Sequence, residues 1–198
     1  VVEDAGDISM DEILRVLCPH GVVMVRAGDT WKKTVKPRPG DIDEWTHFLR
    51  DASNNAVAKD KKIGPPKHLQ WKAGPAFTRD HDSLASVSAV TSSNGRIFYI
   101  LDEGDISLIH RPSKWKLIAR DAFNGKLLWK RDISRWITQL ANFRAGPAQM
   151  PRRLVSVGDR VFVTLGLDAP VEMLDAASGK TLRTFPGSEK TEEIIVHD

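Results

Sequence analysis

The sequence predicts a mostly β fold in which one four-stranded unit is written twice in succession, after a short α/β segment at the N-terminus. Three observations carry this. First, the phrase Ala119-Arg120-Asp121-Ala122-Phe123-Asn124-Gly125-Lys126-Leu127-Leu128-Trp129 returns as Met173-Leu174-Asp175-Ala176-Ala177-Ser178-Gly179-Lys180-Thr181-Leu182-Arg183, with Asp, Gly and Lys each displaced by 54 residues. Second, Ser93-Asn94-Gly95-Arg96-Ile97-Phe98-Tyr99-Ile100 returns as Val157-Gly158-Asp159-Arg160-Val161-Phe162-Val163-Thr164, displaced by 64. Third, Ile97 to Leu101 is continuously apolar, as a strand covered on both faces is.

The repeated phrases have a physical sense. Asp121 and Asn124 can bond their own backbone in a turn, and Gly125 takes positive φ at little cost. Leu127, Leu128 and Trp129 then resume a strand-like run. One copy would be an ordinary hairpin. Two copies, each preceded by another strand pair, make a repeated supersecondary unit, as in propellers, solenoids and arrays. The displacements differ by about ten residues, so the first copy carries an extra loop, at residues 102–113.

The x-D-x-x-x-G-K-x-x-W pattern after a strand, fed by a G-D/N-G-R-hydrophobic hairpin, resembles the quinoprotein-like (pyrroloquinoline-quinone-type) β-propeller repeat. The resemblance covers residues 84–185, about half the chain. It departs in the second copy, where Arg183 stands at the position of Trp129. Residues 43–198 are also similar to large multidomain bacterial proteins that carry such a propeller, of the sort seen in planctomycetes. The fold expected is therefore mostly β: two consecutive four-stranded blades of an incomplete quinoprotein-like β-propeller, after a short α/β remnant.

In chain order, residues 9–17 read as a short amphipathic helix. Ser9 is its N-cap, Asp11 and Glu12 sit near the positive end, and Ile13, Leu14 and Leu17 share a face. Cys18-Pro19-His20-Gly21 stops it, and residues 22–25 read as a buried strand. This helix, Pro-x-Gly turn and strand resembles the late part of a class I S-adenosylmethionine-dependent methyltransferase, with His20 in place of that family's first glycine. A generic helix–turn–strand is the other reading. Residues 1–26 are thus expected to be the end of a methyltransferase-like domain, and 27–43 a basic linker with Pro37, Pro39 and Gly40 and no periodicity. Lys32, Lys33, Lys36 and Arg38 there read as a solvated charged face.

Residues 44–198 are expected to hold the propeller blades. The aromatic stretch 44–50 and a lysine-rich loop lead to residues 68–71, read as an edge strand before the first blade. The resemblance implies that such a segment can complete the last blade and close the ring. Blade one is placed at residues 86–91, 96–101, 115–120 and 126–131. Blade two is placed at 153–157, 160–165, 171–174 and 180–185. Residues 192–196 read as the first strand of a third blade. Propellers have 4 to 8 blades, so the chain is expected to be a piece of a longer protein. The remaining blades would be its partners, and alone it would leave apolar blade faces exposed.

Composition bounds the rest. A hydrophobic fraction of 41% and a charged fraction of 28% are those of a globular domain. No apolar run approaches the length of a membrane span. The N-terminal Val-Val-Glu-Asp-Ala-Gly-Asp lacks the basic and apolar regions of a signal peptide. Cys18 is the single cysteine and excludes an internal disulfide. A net charge of +3 is too small to point to nucleic acid. Six tryptophans against one tyrosine suit a repeat that uses tryptophan as packing filler.

For chemistry, the densest polar cluster is Arg79-Asp80-His81-Asp82, just before the first blade strand. Arg79, His81 and Asp82 are the candidate cofactor-binding residues; the alternative is a polar loop with capping and turn roles. The resemblance implies a quinone (PQQ) with calcium as the possible cofactor of a full-length protein, held by cations, carboxylates or amides. Trp45 and His47 are weaker candidates, with an anchoring aromatic segment as the alternative. Phe123 and Trp129 read as blade packing. Cys18 and His20 are too close for a zinc pair and lack partners. No nucleophile elbow, P-loop or dinucleotide fingerprint occurs. No catalytic residue can be assigned.

Three functions stay open: a non-catalytic propeller presenting a ligand- or protein-binding face, part of a PQQ-dependent alcohol or sugar oxidoreductase, and a targeting module fused to a methyltransferase. The first is favoured for these residues, because fold alone grants no activity. The family resemblance places such a protein in the periplasm or at the cell surface.

Overall fold

The structure is a computed structural model, and it describes all residues except 4, 5, 63, 66, 76–86, 106–110, 137–149 and 198. The chain divides into two compact units, Val1–Ile42 with Asp60–Gly64, and Asp43–Lys59 with Pro65–Asp198.

The first unit begins with helix α1, Met10–Val16. Ser9 caps it, its hydroxyl accepting from the Glu12 amide at 3.3 Å. Arg15 pairs with Glu12 one turn back. The Lys36 ammonium donates to the Leu17 carbonyl at 2.6 Å, satisfying one of the carbonyls the helix leaves open. Strands β1 (Val22–Ala27) and β2 (Thr30–Val35) then form an antiparallel hairpin, with Ala27 opposite Thr30 across Gly28-Asp29. Gly28 supplies the positive φ, 63°, that a two-residue turn requires. This corrects two expectations. Residues 27–43 are not linker throughout, because β2 lies within them. Its side chains are almost all exposed, so no apolar alternation marks it, and the backbone ladder to β1 holds it. Nor is β1 a buried strand: Val23 is buried and Val22 is 48% exposed, as a two-stranded ribbon with one covered face dictates.

The second unit contains two antiparallel four-stranded meanders. The first runs β3 (Val87–Ser93), β4 (Arg96–Asp102), β5 (Trp115–Asp121), β6 (Leu127–Asp132), in that spatial order. The second runs β7 (Leu154–Val157), β8 (Arg160–Thr164), β9 (Val171–Asp175), β10 (Thr181–Phe185). The fold is mostly β, with two consecutive propeller-like blades.

The repeated phrases fold into turns with the same backbone hydrogen bond and the same glycine conformation. The Asp121 carboxylate accepts the Phe123 and Asn124 amides at 2.9 and 3.0 Å, and the Gly125 amide donates to the Asp121 carbonyl at 2.9 Å. Asp175 accepts the Ser178 amide at 2.8 Å, and the Gly179 amide donates to the Asp175 carbonyl at 2.8 Å. Gly125 and Gly179 have φ of 73° and 71°.

The blades share one core. Phe98, Ile100, Leu117 and Ala119 of the first sheet pack with Leu154, Val161, Val163 and Leu174 of the second. Trp129, on the last strand of blade one, joins them. Its indole lies so close over the next blade's turn that a Cβ on Gly179 would meet Cδ2 at 2.6 Å, and its Nε1 donates to the Ala176 carbonyl at 2.9 Å. Trp71 repeats the arrangement one blade earlier. A Cβ on Gly125 would meet Trp71 Cδ2 at 2.6 Å, and Trp71 Nε1 donates to the Ala122 carbonyl at 2.9 Å. Residues 68–71, expected as an edge strand, form no ladder; side chains anchor them, including Gln70 to the Phe123 carbonyl at 2.7 Å.

The other face of the second sheet has its own apolar cluster, Val155, Val171 and Ile194, flanked by Val157, Phe162, Phe185 and Val196. Residues 192–196 therefore lie against blade two, and they do not form the strand expected. The Ile194 amide reaches the Arg152 carbonyl at 3.0 Å, but no ladder follows among the described residues.

Candidate functional site: a cleft beside the first strands of the blades

Strands β3 and β7 are the first strands of their blades and lie beside each other. Each would present a free edge. Residues 44–47 cover both edges: the Ser92 amide donates to the Trp45 carbonyl at 2.6 Å, and the Ser156 amide to the Thr46 carbonyl at 2.9 Å. The Trp45 amide returns a bond to the Ser92 hydroxyl at 3.0 Å, and Glu44 accepts the Asn94 amide at 2.7 Å. Covering an edge in this way satisfies donors that would otherwise seek another strand.

A tight loop hangs from this cover. Arg50, with φ 74°, folds its chain back so that the Thr46 and His47 amides both donate to its carbonyl, at 2.6 and 3.1 Å. The buried Arg50 guanidinium bridges Asp43, at 2.7 Å, and Asp51. The Asp43 carboxylate also accepts the Lys59 and Glu44 amides, at 2.7 and 2.9 Å. The Arg50 bond is the main reason its pKa falls to about 2. Asp51 is likewise held below the usual carboxylate range, first by the Ser53 hydroxyl and then by the Ser53 amide.

An open cleft of about 530 Å³ lies between this loop, blade two and the chain's last described residues, lined by Thr46, His47, Asp51, Ala52, Ser53, Val157, Val196 and His197. This size falls in the range of small-ligand pockets. His47 is 4% exposed, and a chain of hydrogen bonds assigns its tautomer. The Thr46 hydroxyl donates to the Arg50 carbonyl at 3.1 Å, so its lone pair accepts His47 Nδ1–H at 2.7 Å. Nε2 then carries the lone pair that accepts the Val196 amide at 3.1 Å. Burial pushes the His47 pKa down, against the opposing charges of Asp51 and Glu193.

Polar groups with no partner among the described residues lie on β3 (Thr91), β7 (Ser156) and β8 (Thr164), and just before β7 (Arg153). The hydroxyls of Thr91, Ser156 and Thr164 are buried and unbonded. Arg153 is buried with Nε unbonded while it donates to the Leu167 carbonyl at 2.8 Å. Burial lowers its pKa, and the charges of Glu192 and Asp168 offset part of that.

Of the residues singled out from the sequence, Arg79, His81 and Asp82 lie outside the described residues. Trp45 does anchor the covering segment, and its indole donates to the Phe48 carbonyl at 3.1 Å. His47 lines the cleft. Phe123 gives its carbonyl to Gln70, and Trp129 is packing. The sequence reading missed Thr46, Asp51, Ser53, Val196 and His197. His47 and Val196 are 149 positions apart, and no local pattern links them.

No family model matches the chain, and no curated protein matches it. Among solved structures, a europium-containing methanol dehydrogenase is similar over 75% of the chain, with a TM-score of 0.36 and 16% identity. The chain spans 33% of that protein's length.

Among the described residues, no group of three or more His, Cys, Asp or Glu side chains converges to hold a metal ion. No described helix is long and apolar enough to cross a membrane.

Proposed function

We propose that the chain is a blade-bearing segment of a propeller-like scaffold that binds a small-molecule or protein ligand at the cleft beside His47. The cleft itself carries this reading. It combines a ligand-sized volume, an apolar wall from Val157 and Val196, and polar groups from Asp51, Ser53 and His197. The loop of residues 46–53 is held by the ion pairs of Arg50 with Asp43 and Asp51 and by backbone bonds, so this wall of the site is formed before a ligand arrives. On this reading further blades of a longer chain are partners of blade two, and the protein works in the periplasm or at the cell surface.

Amide chemical shifts recorded against a library of small polar molecules and short peptides test the proposal. Saturable shifts grouped at residues 46–53 and 196–197 are expected. A library that yields binders only elsewhere, or none, refutes it. Titration with PQQ and calcium in the same assay tests the oxidoreductase reading separately, and saturable quinone binding away from the cleft would favour that reading.

A further inference from the structure

We propose that residues 193–197 are a proton-operated strap over the cleft, held shut by the neutral imidazole of His47 and released when that imidazole is protonated. The proposal concerns regulation of the cleft proposed above, but the strap's movement is read on the protein itself, with or without a ligand.

The geometry leaves His47 no tolerance for a second proton while the strap is closed. Nδ1–H is committed to Thr46, whose own hydroxyl proton is committed to the Arg50 carbonyl. The remaining nitrogen, Nε2, faces the Val196 amide proton at a heavy-atom distance of 3.1 Å. A proton added at Nε2 sets one N–H against another. Thr46 cannot relieve this, because reversing its hydroxyl would abandon the Arg50 carbonyl and oppose Nδ1–H. The rest of the strap is held by one backbone bond, one ion pair and two apolar side chains. The Ile194 amide donates to the Arg152 carbonyl at 3.0 Å. Glu193 meets Arg152 and, at 3.4 Å, the Asn54 amide group, on exposed surface. The side chains of Ile194 and Val196 cover the outer face of blade two. The Val196 bond is thus the part-buried polar contact at the strap's end, and it decides whether that end stays down. Because Val196 and His197 also line the cleft, lifting the strap removes one wall.

The charged and titratable groups that face His47 come from three directions. Asp51 and Glu193 favour its protonation. The Arg50 guanidinium, fixed on Asp43 and Asp51, and Arg152, paired with Glu193, offset those carboxylates. His197 shares the cleft. The net effect is a lowered pKa, with burial the largest cause. The folded pKa is depressed, so the neutral form's stabilisation is complete above the ordinary value of 6.5. It is lost as pH falls from there through the folded value. The strap is shut at neutral pH and opens in acid.

The test is hydrogen exchange of the Val196 amide on the full 198-residue chain, expressed as protection relative to the intrinsic rate at each pH, together with NMR titration of the His47 ring. Protection is expected to fall by up to about tenfold per pH unit between 6.5 and the ring's measured pKa, while amides of β4 and β5 keep theirs. His47→Gln supplies a neutral acceptor that does not titrate, and should keep Val196 protected with the pH dependence gone. His197→Gln should leave the transition in place. Acid release that persists in His47→Gln, or disappears in His197→Gln, overturns the proposal. So does a Val196 amide unprotected at every pH. Failure to find any ligand in the library screen would sink the scaffold reading and leave these results unaffected.

Discussion

Replacing Gly179 with alanine tests the inter-blade contact most sharply. Two costs follow from the geometry. The residue has φ of 71°, where an L-residue loses about 1–2 kcal/mol. The new Cβ would also lie 2.6 Å from Trp129 Cδ2 and 2.7 Å from Cε3. The indole can retreat only by giving up its bond to the Ala176 carbonyl and its packing beside Phe98, and overpacking of this kind costs about 1–3 kcal/mol. The expected loss is about 2–5 kcal/mol in all. Gly158→Ala is the control, because φ is 55° there but nothing lies within 4 Å of the added Cβ, so only the backbone share applies. Equilibrium urea unfolding, followed by far-UV circular dichroism with m-values compared, measures both. Adding Gly179→Ala to Trp129→Ala should cost only the backbone share, which gives a coupling of about 1–3 kcal/mol. Equal losses for the two glycine variants, or no coupling, would refute the argument.

Three further outcomes are expected. Asp43, 20% exposed and bonded to Arg50, has its pKa depressed to about 2. It therefore contributes about 2 kcal/mol above pH 3.8 that is lost as pH falls through about 2. In acid unfolding curves the gap between wild type and Asp43→Asn should narrow over that window, and a constant gap would contradict this. Leu117→Ala, at a fully buried site, should lose about 2–5 kcal/mol, whereas Leu128→Ala, 37% exposed, should lose under about 1 kcal/mol; denaturant midpoints separate the two. Trp71→Phe keeps a ring over Gly125 but loses the bond to the Ala122 carbonyl, and should raise exchange of amides 67–73 by a factor corresponding to about 0.5–1.5 kcal/mol without moving the global unfolding midpoint.

The parts whose physics is local were legible from the residues alone. Asp121 to Gly125 and Asp175 to Gly179 encode their turns in four or five side chains and one positive φ. The strands between them followed to within one or two residues. The same local logic set the N-cap of α1. It could have found the β1–β2 hairpin, since Gly28-Asp29 between two strand-prone runs is a hairpin signal, but the exposed lysines of β2 argued the other way. Tertiary structure alone decided what depends on distant pairs. Trp71 and Gly125 are far apart in the chain, as are Trp129 and Gly179, and their contacts exist only once blades stack. Residues 192–196 have a strand's composition, yet they pack on blade two through the side chains of Ile194 and Val196. His47 marked itself as a residue of interest, but its tautomer and its hold on Val196 come from Thr46, Arg50 and a backbone amide 149 positions away. A side chain's chemistry is written at its own position; the partner that fixes its proton is set by how the chain returns.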